Sequence, residues 1–193
     1  MSRRICVYCS SSDILEDRYK EVAYSFAEAA SSHNCTLVCG GSRKGLMGVM
    51  IDTFINKGGI VEGVMPEFMK ELEFYHPDLN SITFVQTMSE RKKLMRQDTD
   101  AVVALPGGLG TLEEFLETYT LKRLGLYAGD VILLNVYGFF EPLLGLFEHF
   151  VGNKVLNTNW KSGLKIVDSV EELIEAIDKC KPETLSPRHY APE

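Results

Sequence analysis

Two stretches of this chain set glycines beside a hydroxyl and charged side chains at a spacing that can handle an anionic substrate. In ALPGGLGTLEE, residues 104–114, an apolar run stops at Pro106, and Gly107, Gly108 and Gly110 lead into Thr111, Glu113 and Glu114. Glycines here permit positive φ and bring main chain close to a ligand with no Cβ in the way. Amides left pointing outward, together with the positive end of the helix that follows, make a site for phosphate. CGGSRKGLMG, residues 39–48, repeats the design, with Gly40, Gly41, Gly45 and Gly48 around Arg43 and Lys44. Neither stretch carries the GKS or GKT of a Walker A loop or the G-x-G-x-x-G of a dinucleotide fold. The turn CSSSD, residues 9–13, lacks glycine, but Ser10, Ser11 and Ser12 can donate to a phosphate.

The charged residues near these turns admit two readings. Thr111 and Glu114 form a T-x-x-E capping box, in which hydroxyl and carboxylate satisfy amides at a helix start. Glu113 and Glu117 suit the first half of a helix as solvated residues. In VQTMSERKKLMRQD, residues 85–98, Thr87 and Glu90 form a second capping box, which puts Arg91, Lys92 and Lys93 early in a helix, where cations oppose the macrodipole. Such a departure from local preference is expected where a site needs charge. A plain solvated lysine-rich face is the alternative for Lys92 and Lys93.

The elements that must position these residues follow from periodicity. Apolar runs rich in β-branched residues (RRICVYC, TLVCG, GIVEGVM, ITFVQT, AVVALP, VILLNV, LKIVD) are each followed by a helical pattern, at 15–33, 45–57, 66–70, 88–98, 110–126, 138–151 and 169–180. The runs are continuous, not alternating, as in a parallel sheet covered on both faces. The expected fold is a single-domain, Rossmann-like, doubly wound α/β sheet over residues 1–180. Ligands bind such sheets at the carboxyl ends of the strands, where both glycine turns fall. Residues 181–193, with three prolines and no periodicity, read as an extended or mobile tail.

Composition narrows the partners. The chain has 193 residues, 45% hydrophobic and 24% charged, and no apolar run reaches the roughly 18–20 residues that span a bilayer. Its opening has no extended hydrophobic leader, so a cytoplasmic location is the default expectation. A net charge of −7 with no lysine and arginine stripe argues against nucleic acid as a partner. Four of the five cysteines (Cys6, Cys9, Cys35, Cys39) lie in or beside apolar strands, as reduced thiols acting as small hydrophobes do, and the CxxC of Cys6 and Cys9 sits inside a strand pattern with no second pair at zinc-ligand spacing. No metal site is expected.

CGGSRKGLMG, MSERKKLM and PGGLGTLEE, in this order and spacing, resemble the three signatures of the Lonely Guy (LOG) family, the cytokinin riboside 5′-monophosphate phosphoribohydrolases, over about residues 3–180. The resemblance implies hydrolysis of the N-glycosidic bond of a nucleoside 5′-monophosphate without metal or cofactor, in a homodimer or larger assembly. It implies Arg91 and Glu114 as the catalytic pair, and Lys92 with the turn Gly108 to Thr111 as substrate-binding positions. Glu73 falls where the family has an acidic substrate contact, and Gly40, Gly41, Gly107 and Ser10 complete the expected substrate-binding set. The third glycine of the first signature is Ser42 here, and serine resists positive φ. The family is also catalogued as lysine decarboxylase-like, but that chemistry needs pyridoxal phosphate on a Schiff-base lysine, which nothing in the sequence marks. Glycosidic cleavage passes through an oxocarbenium-like ribose, which a carboxylate such as Glu114 can stabilise while it orients or deprotonates water. Arg91 can hold phosphate or ribose hydroxyls, or assist the departing base.

Overall fold

A computed structural model describes residues 2–72 and 74–186 of the chain. Seven strands, β1 (Arg4–Tyr8), β2 (Thr36–Cys39), β3 (Ile60–Pro66), β4 (Ser81–Val85), β5 (Ala101–Ala104), β6 (Asp130–Leu134) and β7 (Leu164–Val167), form one sheet in the order β4-β3-β2-β1-β5-β6-β7. Every pairing is parallel, and β1 aligns Ile5 with Ala101 and Tyr8 with Ala104 of β5. The chain winds outward from β1 to β4 and then returns to the other side of β1. This reversal between β1 and β5 is the topological switch point of a doubly wound sheet.

Helices α1 (Asp17–Ser32), α2 (Gly45–Asn56), α3 (Glu67–Lys70), α4 (Met88–Arg96), α5 (Leu109–Arg123), α6 (Glu141–Gly152) and α7 (Val170–Asp178) alternate with the strands. Side chains alternate across a strand, so β1 feeds two cores at once. Ile5 and Val7 join Phe26, Met50, Phe54 and Leu173 beneath α1, α2 and α7, while Cys6 and Tyr8 join Met95, Phe115, Phe147 and Trp160 beneath α4, α5 and α6. All five cysteines are buried free thiols. Burial pushes the Cys6, Cys9 and Cys39 thiols upward, away from the reactive thiolate.

Two helices start or stop where local chemistry overrides the periodicity. α6 begins at Glu141 and not at 138, because the Asn135 side chain accepts the Phe140 amide at 2.8 Å and donates to Glu141 at 2.8 Å, holding a tight turn in which Tyr137 has φ 56°. α4 ends at Arg96, since Gln97 is extended and Asp98 has φ 55°. Lys93 and Arg96 therefore stand in the last turn of a nine-residue helix, where cations suit the macrodipole, and the expected conflict is confined to Arg91 and Lys92.

The capping box at Thr87 forms in full: its hydroxyl accepts the Glu90 amide at 3.1 Å and the Glu90 carboxylate accepts the Thr87 amide at 3.1 Å. Thr87→Ala removes one half of this box from the helix that carries Arg91. It should lower stability by about 1 kcal/mol, read as a reduced denaturation midpoint with unchanged slope in urea.

Candidate active site

The loops leaving β1, β2 and β5 meet at the switch point, and Ser10 ties them together. Its amide donates to the Pro106 carbonyl at 3.1 Å and its carbonyl accepts the Leu46 amide at 3.0 Å. The Gly45 amide donates to the Asp13 carboxylate at 2.9 Å. The opening amides of α2 are thus satisfied by the protein itself. Gly40 and Gly41 are buried, so the first glycine turn does not present itself to solvent as a phosphate cradle. Positive φ falls on Gly41 (78°) and Gly45 (59°), and Ser42, which needs none, fits by bridging to Tyr75.

α5 presents the opposite case. Gly108, Leu109 and Gly110 are exposed, a Cβ added at Gly108 or Gly110 would meet nothing within 4 Å, and no side chain caps the helix. The amides of its first turn have no carbonyl inside the helix to bond. None of Gly107, Gly108 and Gly110 has positive φ, contrary to expectation. Gly107 is needed for close approach instead, because a Cβ there would overlap the Thr111 hydroxyl and lie 3.0 Å from the Ser10 amide.

The Thr111 and Glu114 capping box does not form. Gly108 is the N-cap and the helix is under way by Leu109, so Thr111 lies buried within its first turn and the Glu114 carboxylate turns to Arg91. Arg91 Nη1 donates to Glu114 Oε1, Arg91 Nε donates to the Val64 carbonyl at 3.0 Å, and both side chains are about nine-tenths buried. Gly40 makes room for this, since a Cβ there would overlap the guanidinium. Burial pushes the Glu114 carboxyl above the ordinary glutamate value, and Arg91 opposes but does not cancel that rise. Below it, Thr118 Oγ1 donates to the Glu114 carbonyl at 2.9 Å and lies 3.1 Å from the Tyr8 hydroxyl.

Lys92 is buried as well and contacts Glu113 and Glu117, while Arg96 donates to Glu117 at 2.6 Å. The solvated-face reading holds for exposed Lys93 and fails for Lys92. Glu117, expected as a solvated residue, is engaged by two cations. Glu73 lies outside the described residues. The segment just after it is fastened to the β2 turn: Arg43 donates its amide to Phe74 at 3.0 Å and His76 to Gly41 at 2.8 Å. His76 is buried, with Nδ1 accepting the Asp78 amide at 3.2 Å, which leaves the proton on Nε2 for Asp52 at 2.9 Å. Sequence reading missed this fastening and Asp13, because a short antiparallel bridge between loops leaves no period to detect. A cavity of about 610 Å³, lined by Arg96, Asp100, Leu126 and Tyr127, lies toward the amino ends of β5 and β6, away from the Arg91 and Glu114 pair.

A reversed parallel sheet with a solvent-open, glycine-led helix start beside a buried arginine and glutamate defines a Rossmann-like α/β protein suited to holding a small anion next to a carboxylate. The family described as "Possible lysine decarboxylase" matches residues 47–177. The chain is 35% identical over 180 residues to the cytokinin riboside 5′-monophosphate phosphoribohydrolase LOG1 of Arabidopsis thaliana, covering 93% of this chain and 84% of that protein. It is 34% identical over 176 residues to the cytokinin riboside 5′-monophosphate phosphoribohydrolase of Rhodococcoides fascians, covering 91% and 89% respectively. The chain belongs to this phosphoribohydrolase family. Among solved structures it shares its fold with the Moco carrier protein from Chlamydomonas reinhardtii (TM-score 0.69, 17% identity, 93% of this chain and 98% of that one). The same holds for the molybdenum cofactor binding protein from Rippkaea orientalis (TM-score 0.70, 21% identity, 92% and 96%).

Gly40→Ala should displace the Arg91 guanidinium while leaving the strands in place. A crystal structure of the variant is expected to show the Arg91 to Glu114 contact broken, and an undisturbed contact would refute the steric role assigned to Gly40.

Proposed function

We propose that this chain hydrolyses the N-glycosidic bond of a cytokinin nucleoside 5′-monophosphate, releasing free base and ribose 5-phosphate. The observation that carries the reading is the placement of the Arg91 and Glu114 pair about one helical turn after the exposed helix start at Gly108 to Gly110. Four residues of helix rise only about 6 Å, so a phosphoryl group on the amides there brings its ribose over Glu114. Matches of 34–35% to named phosphoribohydrolases across more than nine-tenths of the chain support the same substrate class.

In this mechanism Gly107 shapes the turn, and Gly108, Gly110 and Thr111 hold the 5′-phosphate by main-chain and hydroxyl donors. Lys92 adds positive charge beside them. Glu114 stabilises the positive charge that grows on the ribose as the bond to the base breaks, and it orients and deprotonates the attacking water. Arg91 holds that carboxylate in place and keeps its ionised form accessible inside a buried site. Residues 1–180 act as one catalytic domain with no cofactor, in a cytoplasmic homodimer or larger homo-oligomer. Of the tail, residues 181–186 are largely exposed and are tied at Glu183 to the far end of α5, where buried Lys122 donates to the carbonyls of Ala128 and Glu183 at 2.9 and 2.8 Å, and residues 187–193 lie outside the described residues.

Incubation with isopentenyladenosine monophosphate and with AMP tests the reading by free-base release. A preference for the first supports cytokinin nucleotides, a preference for AMP marks a broader nucleoside monophosphate glycosidase, and release from neither refutes hydrolysis and leaves a nucleotide-binding module. Glu114→Ala and Arg91→Ala should each cut turnover by roughly 10²-fold or more, in line with loss of a positioned acid or base, while nucleotide still binds.

The pH dependence carries a definite sign. Glu114 must be ionised to act, and burial raises its folded value above the ordinary 4.5, so kcat/KM should rise with pH along a limb centred above 4.5 that Glu114→Gln abolishes. The stability linkage runs the other way. A carboxyl that holds its proton more tightly when folded contributes stability that is fully present below pH 4.5 and is lost as pH rises through the folded value.

A further inference from the structure

Arg91 rests between the ends of two neighbouring strands. On one side its Nε donates to the Val64 carbonyl of β3 at 3.0 Å, and on the other its guanidinium fills the space a Cβ would take at Gly40, just past β2. The residues next to these two, Gly41 and Gly63, are both covered by residues 74–79, which lie between α3 and β4. His76 donates its amide to the Gly41 carbonyl at 2.8 Å, and Arg43 donates its amide to the Phe74 carbonyl at 3.0 Å. Leu79 closes over both glycines: its Cδ1 would lie 3.4 Å from a Cβ at Gly41 and 2.8 Å from one at Gly63. The segment thus grips the chain one residue away from each contact that seats the guanidinium.

Two main-chain bonds between loops are a weak fastening where water can compete for them, and here Arg43 is exposed and Phe74 half-buried. The side chain of His76 pins the segment more firmly. It is only 8% exposed, accepts the Asp78 amide on Nδ1 at 3.2 Å, and donates from Nε2 to Asp52 Oδ1 at 2.9 Å. Asp52 belongs to α2, the helix that follows the β2 turn. The imidazole therefore ties the segment to α2 while the His76 backbone holds the turn leading into that same helix. The proposed chemistry uses neither His76 nor Asp52.

We propose that Asp52 and His76 are positioning residues for Arg91: their hydrogen bond pins residues 74–79 across Gly41 and Gly63, and so fixes the two strand ends between which the guanidinium lies. The inference rests on the role given to Arg91 and Glu114 under the proposed function. Arg91 holds the Glu114 carboxylate, so a guanidinium free to shift lets that carboxylate leave the place it needs beside the ribose. The proposed phosphate donors belong to α5 and to none of the elements the clasp joins, so its loss falls on kcat and not on KM.

Asp52 offers the test, because its side chain is 64% exposed and its replacement leaves the core intact. Asp52→Ala removes the acceptor of the His76 Nε2 proton, whereas Asp52→Asn keeps an oxygen there. Assayed with isopentenyladenosine monophosphate and AMP, Asp52→Ala should lower kcat about tenfold, less than the roughly 10²-fold that a misplacement of about 1 Å can cost, with KM held within about twofold. Asp52→Asn should restore kcat to near the wild-type value. Exchange of the Arg91 Nε proton with water, read by NMR on the full chain, should quicken about tenfold in Asp52→Ala and not in Asp52→Asn, and the Arg43 amide should follow it. An unchanged kcat in Asp52→Ala, a fall of equal size in both variants, a change confined to KM, or unaltered exchange at Arg91 Nε each overturns the proposal. Should the wild type release base from neither nucleotide, the proposed function fails by itself, and the exchange at Arg91 Nε still decides whether this clasp positions the guanidinium.

Discussion

The structure turns on one buried ion pair, Arg91 with Glu114. Taking a guanidinium and a carboxylate out of water costs several kcal/mol for each ion, and their mutual attraction offsets this only with good geometry and satisfied remaining groups. Both conditions shape the surroundings. The carbonyl of Val64, at the carboxyl end of β3, takes a second donor of Arg91, Gly40 leaves out the Cβ that would push the guanidinium aside, and the capping box at Thr87 sets where α4 starts. Four elements, β2, β3, α4 and α5, are thus held to one arrangement. Desolvation outweighs the partner, so burial holds the Glu114 carboxyl above its ordinary value.

The two glycine turns look alike and do different work. At α2 the helix start faces inward, and Ser10 and Asp13 consume its amides, because the loop after β1 is folded between β2 and β5. At α5 the start faces solvent, with Gly108, Leu109 and Gly110 exposed and no side chain capping the helix. A helix start inside the protein must be satisfied by the chain itself, whereas one at the surface can be left to water or a ligand. The main chain of Ser10 acts as a clamp that places one turn against the other.

Charges that read as surface residues in sequence are drawn inward between α4 and α5. Lys92, Arg96 and Glu117 form a ladder whose members are each partly or largely shielded from water, which gives the contacts more weight than exposed pairs carry. The ladder joins the same two helices as the Arg91 and Glu114 pair. Positive charge near the start of α4, unfavourable to that helix alone, is balanced across the interface by the carboxylates of α5.

The alternation of continuous apolar runs with helical patterns determined the doubly wound parallel sheet, since a strand buried on both faces has no other composition. Residue types also marked the two members of the buried pair, because an arginine early in one helix and a glutamate after a glycine turn were each in tension with, or only half explained by, local preference. Chain order alone left open where those side chains point. Glu114 was equally a cap for its own helix until packing brought Arg91 within reach, and the buried ion pair prevailed over a solvated amide. The contacts that Ser10, Asp13, His76 and Glu117 make had no sequence signal, because each joins segments that are distant along the chain and carry no shared period. Periodicity reports which face of an element is buried, and only tertiary structure decides which partner lies across that face.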